Sequence, residues 1–187
     1  MINKLDKIIE RSLHRLAKDT HVRSWCAKEN DWVSYFAHRY LLKECSPRAP
    51  LKEPTQLSIE VAVPQPQGYK RESVRRDLVI WPKCGDTCFV ENETGKWEAV
   101  NHPLAILEWK VHRKGHRNRQ VEKERAWLRA YCKRNKKVVA YAIEIDGECS
   151  PAQLVCCRFH GSTVTKRWLA LGLGDVPSNK RLQRTRR

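Results

Sequence analysis

Apolar residues at Leu5, Ile8, Ile9, Leu13 and Leu16 recur every three to four positions, the spacing that gathers them on one side of an α-helix. A helix over residues 3–18 is expected, with Glu10 on the rim of its apolar face. Trp32, Val33, Phe36, Ala37, Tyr40 and Leu41 mark a second helix over 30–42, which the proline-rich segment 46–54 ends. The period then drops to two. Leu57, Ile59, Val61 and Val63 alternate with polar or small residues and predict a half-buried strand with all four side chains on one face, closed by Pro64 and Pro66. A basic loop over 68–75 leads into a strand that begins Arg76-Asp77 and runs to Pro82.

Residues 83–102 are polar, with turn chemistry at Asp86, Asn92 and Gly95, and predict a hairpin-like insertion. A further strand follows over 104–111, then a basic stretch over 112–119 and a helix over 120–134 that turns Leu128 and Tyr131 toward the sheet. A β-branched run at 137–145 and a hairpin across His160-Gly161 complete the pattern. It specifies an α/β fold, a mixed four- to five-stranded sheet flanked by helices, in one domain over 1–173. The polar, charged segment 174–187 is expected to be a disordered basic tail.

Charge adds a partner. The formal net charge of +16 and pI of about 9.8 exceed what solubility requires and point to a polyanion, most simply nucleic acid, although charge alone does not say which. The N-terminal residues alternate charged and apolar side chains without a signal-like core, and no stretch reaches membrane-helix length. A cytoplasmic protein is therefore expected. Its eight cysteines include no Cys-x-x-Cys pair, so reduced thiols are expected over disulfides, with a zinc site at Cys84 and Cys88 as the lesser alternative.

The strand over 104–111, LAILEWKV, is apolar except for Glu108 and Lys110, which period-two geometry puts on one face. Charges held at the edge of a core are costly and usually bind an ion or an anion. Asp77 on the preceding strand and Glu108 could supply the carboxylate pair that a divalent cation such as Mg²⁺ prefers if the two strands are adjacent, and Lys110 could orient a nucleophile or offset phosphate charge. The competing reading is an ordinary strand-edge salt bridge from Glu108 to a nearby Arg or Lys.

With Glu10 in the first helix, Asp77 in RDLVI, the triplet Glu108-Trp109-Lys110 and a helix and strand behind it, the chain resembles the PD-(D/E)xK nuclease superfamily over about residues 3–146. Arg76 stands where the motif's proline would be. The resemblance implies a restriction-endonuclease-like fold and metal-dependent phosphodiester hydrolysis, as an endonuclease more than an exonuclease. It further implies metal ligation by Asp77 and Glu108, water positioning by Lys110 and support from Glu10, with Glu29 and Glu60 as rival acids. Arg75, Arg76, Arg113, Lys114, Arg117, Arg119 and Lys123 are the candidate nucleic-acid contacts, and a homodimer would allow both strands to be cut. A catalytically inactive nucleic-acid-binding module and a structural subunit of a nucleoprotein complex are the alternatives. His102, His112 and His116, and the tryptophans at 81, 109 and 127, are assigned to surface and packing roles.

Overall fold

The computed structural model describes residues 2–19, 27–112, 119–146 and 152–173. It is a mixed α/β structure with three α-helices and a six-stranded sheet, one strand more than the upper bound expected. Helix α1 spans Ile2–Lys18 and α2 spans Glu29–Phe36; α3, Arg119–Arg134, lies between the strands β5, Ala105–His112, and β6, Val139–Asp146. The others are β1 (Leu57–Pro64), β2 (Ser73–Ile80), β7 (Gln153–His160) and β8 (Thr163–Gly172), and the sheet order is β1-β2-β5-β6-β7-β8. Among the described residues only the β5–β6 pair is parallel, as a helical crossover requires. The predicted insertion is a separate hairpin of β3 (Phe89–Glu91) and β4 (Trp97–Ala99).

Each face of the sheet carries its own apolar layer. Alternate residues Ala105, Leu107 and Trp109 of β5 meet α1 and α2, whereas Ile106 joins Trp127, Leu128 and Tyr131 of α3 on the opposite face. This alternation explains why β5 and β6 read as nearly continuous apolar runs: both of their faces are covered. Asp6 on α1 fastens the first layer to the sheet, accepting hydrogen bonds from Tyr141 Oη at 2.7 Å and from Arg158 Nε and Nη2 at 2.7 and 2.9 Å.

The second predicted helix is interrupted by its own spacing. Its buried pairs, 32/33, 36/37 and 40/41, repeat every four residues, a period that drifts about 40° per repeat on a 3.6-residue helix. After Phe36 the chain widens into a π-helical turn over Ala37–Leu41 before a 3₁₀ turn at Leu42–Glu44. The wider turn lets Tyr40 and Leu41 stay buried.

In β1 and β2 the strict alternation breaks. Leu57 and Ile59 pack with the α1–α2 layer, but Val61 and Val63 pack with the α3 layer. The expectation of one common face is thus overturned, and the cause is Glu60, whose φ is +53°. No residue is inserted, since Ile59 pairs with Leu78 and Val61 with Arg76. Instead the hairpin rotates about Glu60 and the residue opposite it, Asp77. On β2, Leu78 and Ile80 face α1 and α2, while Val74 and Arg76 face α3.

Candidate functional site

The rotation at Glu60 and Asp77 opens a fork in the sheet. β1 and β2 pair along their length except at Glu60 and Asp77, and β5 and β6 pair throughout. Between β2 and β5 the ladder covers only Leu78–Ile80 against Ala105–Leu107. Beyond Leu78 the Asp77 side chain substitutes for the missing ladder, with Oδ2 accepting the Trp109 amide at 2.7 Å. A carboxylate that caps a neighbouring strand's N–H lies close to the sheet plane, so Asp77 points into the fork rather than onto either face.

The other predicted residues of β5 line the same fork. Glu108 is buried at 4 % exposure, and its Oε1 stands 3.3 Å from Arg76 Nη1. That approach is an ion pair without hydrogen-bond geometry: Glu108 Oε1 and Arg76 Nε both lack a hydrogen-bond partner. Lys110 Nζ is 2.7 Å from Glu29 Oε1 and 3.4 Å from Glu124 Oε1. Glu29 opens α2 on one face of the sheet and Glu124 belongs to α3 on the other. An ammonium can touch both layers only because the fork leaves no strand between them.

Trp109 points away from these charges, fully buried, with its ring 5.1 Å from that of Phe36. Trp127 and Trp81 are also packing residues: Trp127 stacks on Tyr131 at 4.8 Å, and Trp81 Nε1 donates to Ser58 Oγ at 3.0 Å. His102 Nδ1 is within 2.9 Å of Tyr131 Oη, and His112 Nε2 is 3.2 Å from Glu144 Oε2.

Burial sets the electrostatics. It pushes the Glu108 carboxyl up to about 8; Arg76 pulls the other way, and the Asp77 and Glu124 charges add to the rise. Burial likewise raises Asp77, against the Trp109 hydrogen bond and the Lys110 and Arg76 charges. Glu29 and Glu124 are raised by burial too, with Lys110 opposing. For Lys110 burial works downward, but the hydrogen bond it donates to Glu29 and the charges of Glu29, Glu124 and Asp77 outweigh it and raise the ammonium. These are the linked shifts of one cluster: four carboxyls and two cations in a water-poor cleft.

Two expected roles change. Glu10 lies exposed on α1, and among the described residues no hydrogen bond or ion pair joins it to Asp77, Glu108 or Lys110. Helix α1 packs its apolar stripe flat on the sheet, which turns the rim outward, and the start of α2 brings Glu29 to the fork instead. Arg76 is not a surface contact for a polyanion; it is 7 % exposed with its guanidinium 3.6 Å above the Trp127 ring, because the rotated hairpin turns it under α3.

Arg75 and Lys123 are exposed as expected, and Arg119 is the first residue of α3. Arg113, Lys114, Arg117, His116 and the tail over 174–187 lie outside the described residues. Glu124 was not anticipated, although it carried a signal. It occupies the 121-124-128-131 stripe whose other members, Val121, Leu128 and Tyr131, are buried, and an acid in an apolar helix stripe needs a partner.

Among the described residues no three His, Cys, Asp or Glu side chains converge as a finished metal cage. Cys45, Cys84, Cys88, Cys132, Cys156 and Cys157 are free thiols. No helix among the described residues is long and apolar enough to cross a membrane. The chain matches no protein-family model, no curated protein and no solved structure.

Proposed function

We propose that this protein is a metal-dependent nuclease of the restriction-endonuclease-like kind, hydrolysing phosphodiester bonds, with DNA its preferred substrate. The observation that carries this reading is the fork between β2 and β5, where Asp77, Glu108 and Lys110 meet with Glu29 and Glu124. A salt bridge at a strand edge needs none of that opening.

The residues present fit a hard divalent cation. With all four carboxyls ionised, as an incoming cation would favour, they stand against Arg76 and Lys110 with a formal surplus of two negative charges, and Glu108 keeps a buried oxygen that accepts no hydrogen bond. Mg²⁺ and Mn²⁺ sites commonly use one or two carboxylates and leave the remaining positions to water and phosphate, so a closed protein cage is not required. Asp77 and Glu108 are the residues that would hold it. The ion, when bound, supplies an activated water and charge stabilisation at the phosphorus.

The chain's own groups do the rest. The Trp109 amide fixes the Asp77 carboxylate in the sheet plane. Glu29 and Glu124 hold the Lys110 ammonium at the mouth, charged, where it can steer a water and meet charge developing on a phosphate oxygen. The basic balance of the chain draws the polyanion toward a cleft that is itself acidic, a combination that favours phosphate only with a cation in place.

A second reading, a nucleic-acid-binding module without cleavage, draws on the Arg76–Glu108 contact, which engages one ligand internally. The two separate in one assay. Purified protein is incubated with plasmid and single-stranded DNA in Mg²⁺, Mn²⁺ or EDTA, beside Asp77→Ala, Glu108→Ala and Lys110→Ala. Metal-dependent nicking by the wild type alone supports the nuclease; binding without cleavage under every condition supports the module.

A further inference from the structure

Away from the fork, the start of β2 and the β3–β4 hairpin enclose an open groove of about 760 Å³, lined by Ala62, Arg71, Glu72, Ser73, Val74, Arg75 and Phe89. Two arginines face one glutamate there, so the lining is net cationic. The loop leading into the groove is anchored rather than free: Gln65 accepts the Trp127 Nε1 hydrogen bond at 2.9 Å, the Gln65 amide donates to the Glu72 carbonyl at 2.6 Å, and Arg134 donates to the Gln67 carbonyl.

The hairpin adds an aromatic surface. Phe89 pairs with Ala99 and Glu91 with Trp97, so these four side chains share one face of the hairpin. Phe89 and Ala99 use that face to pack on the α3 layer, and Phe89 also borders the groove. Trp97, two pairs nearer the turn, therefore extends the same face beyond the body, and it is 63 % exposed. Among the described residues, Val90 and Val100 at 43 and 47 %, and Tyr69 at 48 % in the loop before β2, are the other large apolar side chains left open. A solvated indole on the hairpin face whose Phe89 borders a groove lined by two arginines matches a polymer with flat apolar rings and regularly spaced anions.

We infer that this groove binds an unpaired stretch of nucleic acid, with Arg71 and Arg75 on phosphates and Trp97 stacked on a base. Stacking on an aromatic platform together with backbone-tracking cations is how single strands are held without sequence preference. The groove also sets a distance. From Ser73 in the groove's lining to Asp77, β2 rises about 13 Å at 3.3 Å per residue. Resting on the nuclease reading for that second end, a substrate with a frayed or single-stranded flank beside the phosphate at Asp77 is favoured over a continuous duplex.

The test is a binding titration of the full chain in EDTA, so that cleavage plays no part, using a short fluorescein-labelled oligothymidylate and a duplex of equal length. Trp97→Ala is expected to weaken oligothymidylate binding about ten-fold and duplex binding less than two-fold, with Trp97→Phe restoring most of the loss. Arg75→Ala is expected to lower the slope of log affinity against log salt by about 0.7 for the single strand. Unchanged oligothymidylate affinity in Trp97→Ala, or an equal loss on both substrates, overturns the inference. Because no metal is present, that failure is distinct from an absence of plasmid nicking, which would sink the nuclease reading while leaving the groove's assignment standing.

Discussion

Asp77 Oδ2 accepts the Trp109 amide proton at 2.7 Å, one residue beyond the last ladder pair between Leu78 and Leu107. One carboxylate thus closes the backbone hydrogen bonding at the apex of the fork and stands at the centre of the acidic cluster. The two roles separate under substitution. Asp77→Asn keeps an acceptor for the buried amide but loses the charge, so urea unfolding should shift little while plasmid nicking falls at least about a hundred-fold. Asp77→Ala leaves the Trp109 N–H without its partner and should cost a further ~1–3 kcal/mol in the unfolding midpoint.

Glu108 makes stability fall as pH rises. Its folded carboxyl titrates at about 8, above the ordinary 4.5, so between those values the folded chain holds a proton that the unfolded chain has released. The stabilisation is complete below about pH 4.5 and is lost as pH climbs through 8, with a limiting slope of about 1.4 kcal/mol per pH unit for one group. Asp77, Glu29 and Glu124, also raised, act in the same direction. Urea midpoints from pH 5 to 8 should decline more steeply for wild type than for Glu108→Gln. Added Mg²⁺ should stabilise more at pH 8 than at pH 6, since it binds the ionised carboxyls.

Glu29 holds Lys110, and Glu10 does not. Glu29→Gln, which keeps an acceptor but loses the charge, is expected to lower the nicking rate about ten-fold and to move its pH profile, the signature of a changed ammonium. Glu10→Gln should leave both within about two-fold. Comparable losses in the two variants would mean that the helix α1 acid takes part in the reaction after all.

Glu60 carries the strain of the rotated hairpin. Its φ of +53° is a left-handed conformation that costs a non-glycine residue about 1–2 kcal/mol. Glu60→Gly should therefore raise stability by about 0.5–1 kcal/mol, part of the relief being offset by the greater freedom of the unfolded chain. Glu60→Val, with a branched Cβ, should lower it by at least about 1 kcal/mol. Urea denaturation of the pair measures both.

The amino-acid sequence by itself determined the elements and the inward residues. Period 3.6 at Leu5–Leu16 and the doubly apolar runs around Leu107 and Ile143 follow from local geometry, and so does the placement of Glu108 and Lys110 on one side of β5 with Trp109 on the other. These are relations among neighbours in the chain, and alternation expresses them directly. Only the tertiary structure decided which acids meet those residues. Glu29 is 81 positions from Lys110, and its arrival depends on where α2 ends up over the sheet, which no local period encodes. The same holds for Arg76, adjacent to Asp77 yet turned beneath Trp127, because a single left-handed residue across the ladder at Glu60 rotates the hairpin. A strand pattern assumes that faces persist along its length; here the faces change at Asp77, and the opening that results is what gathers the candidate site.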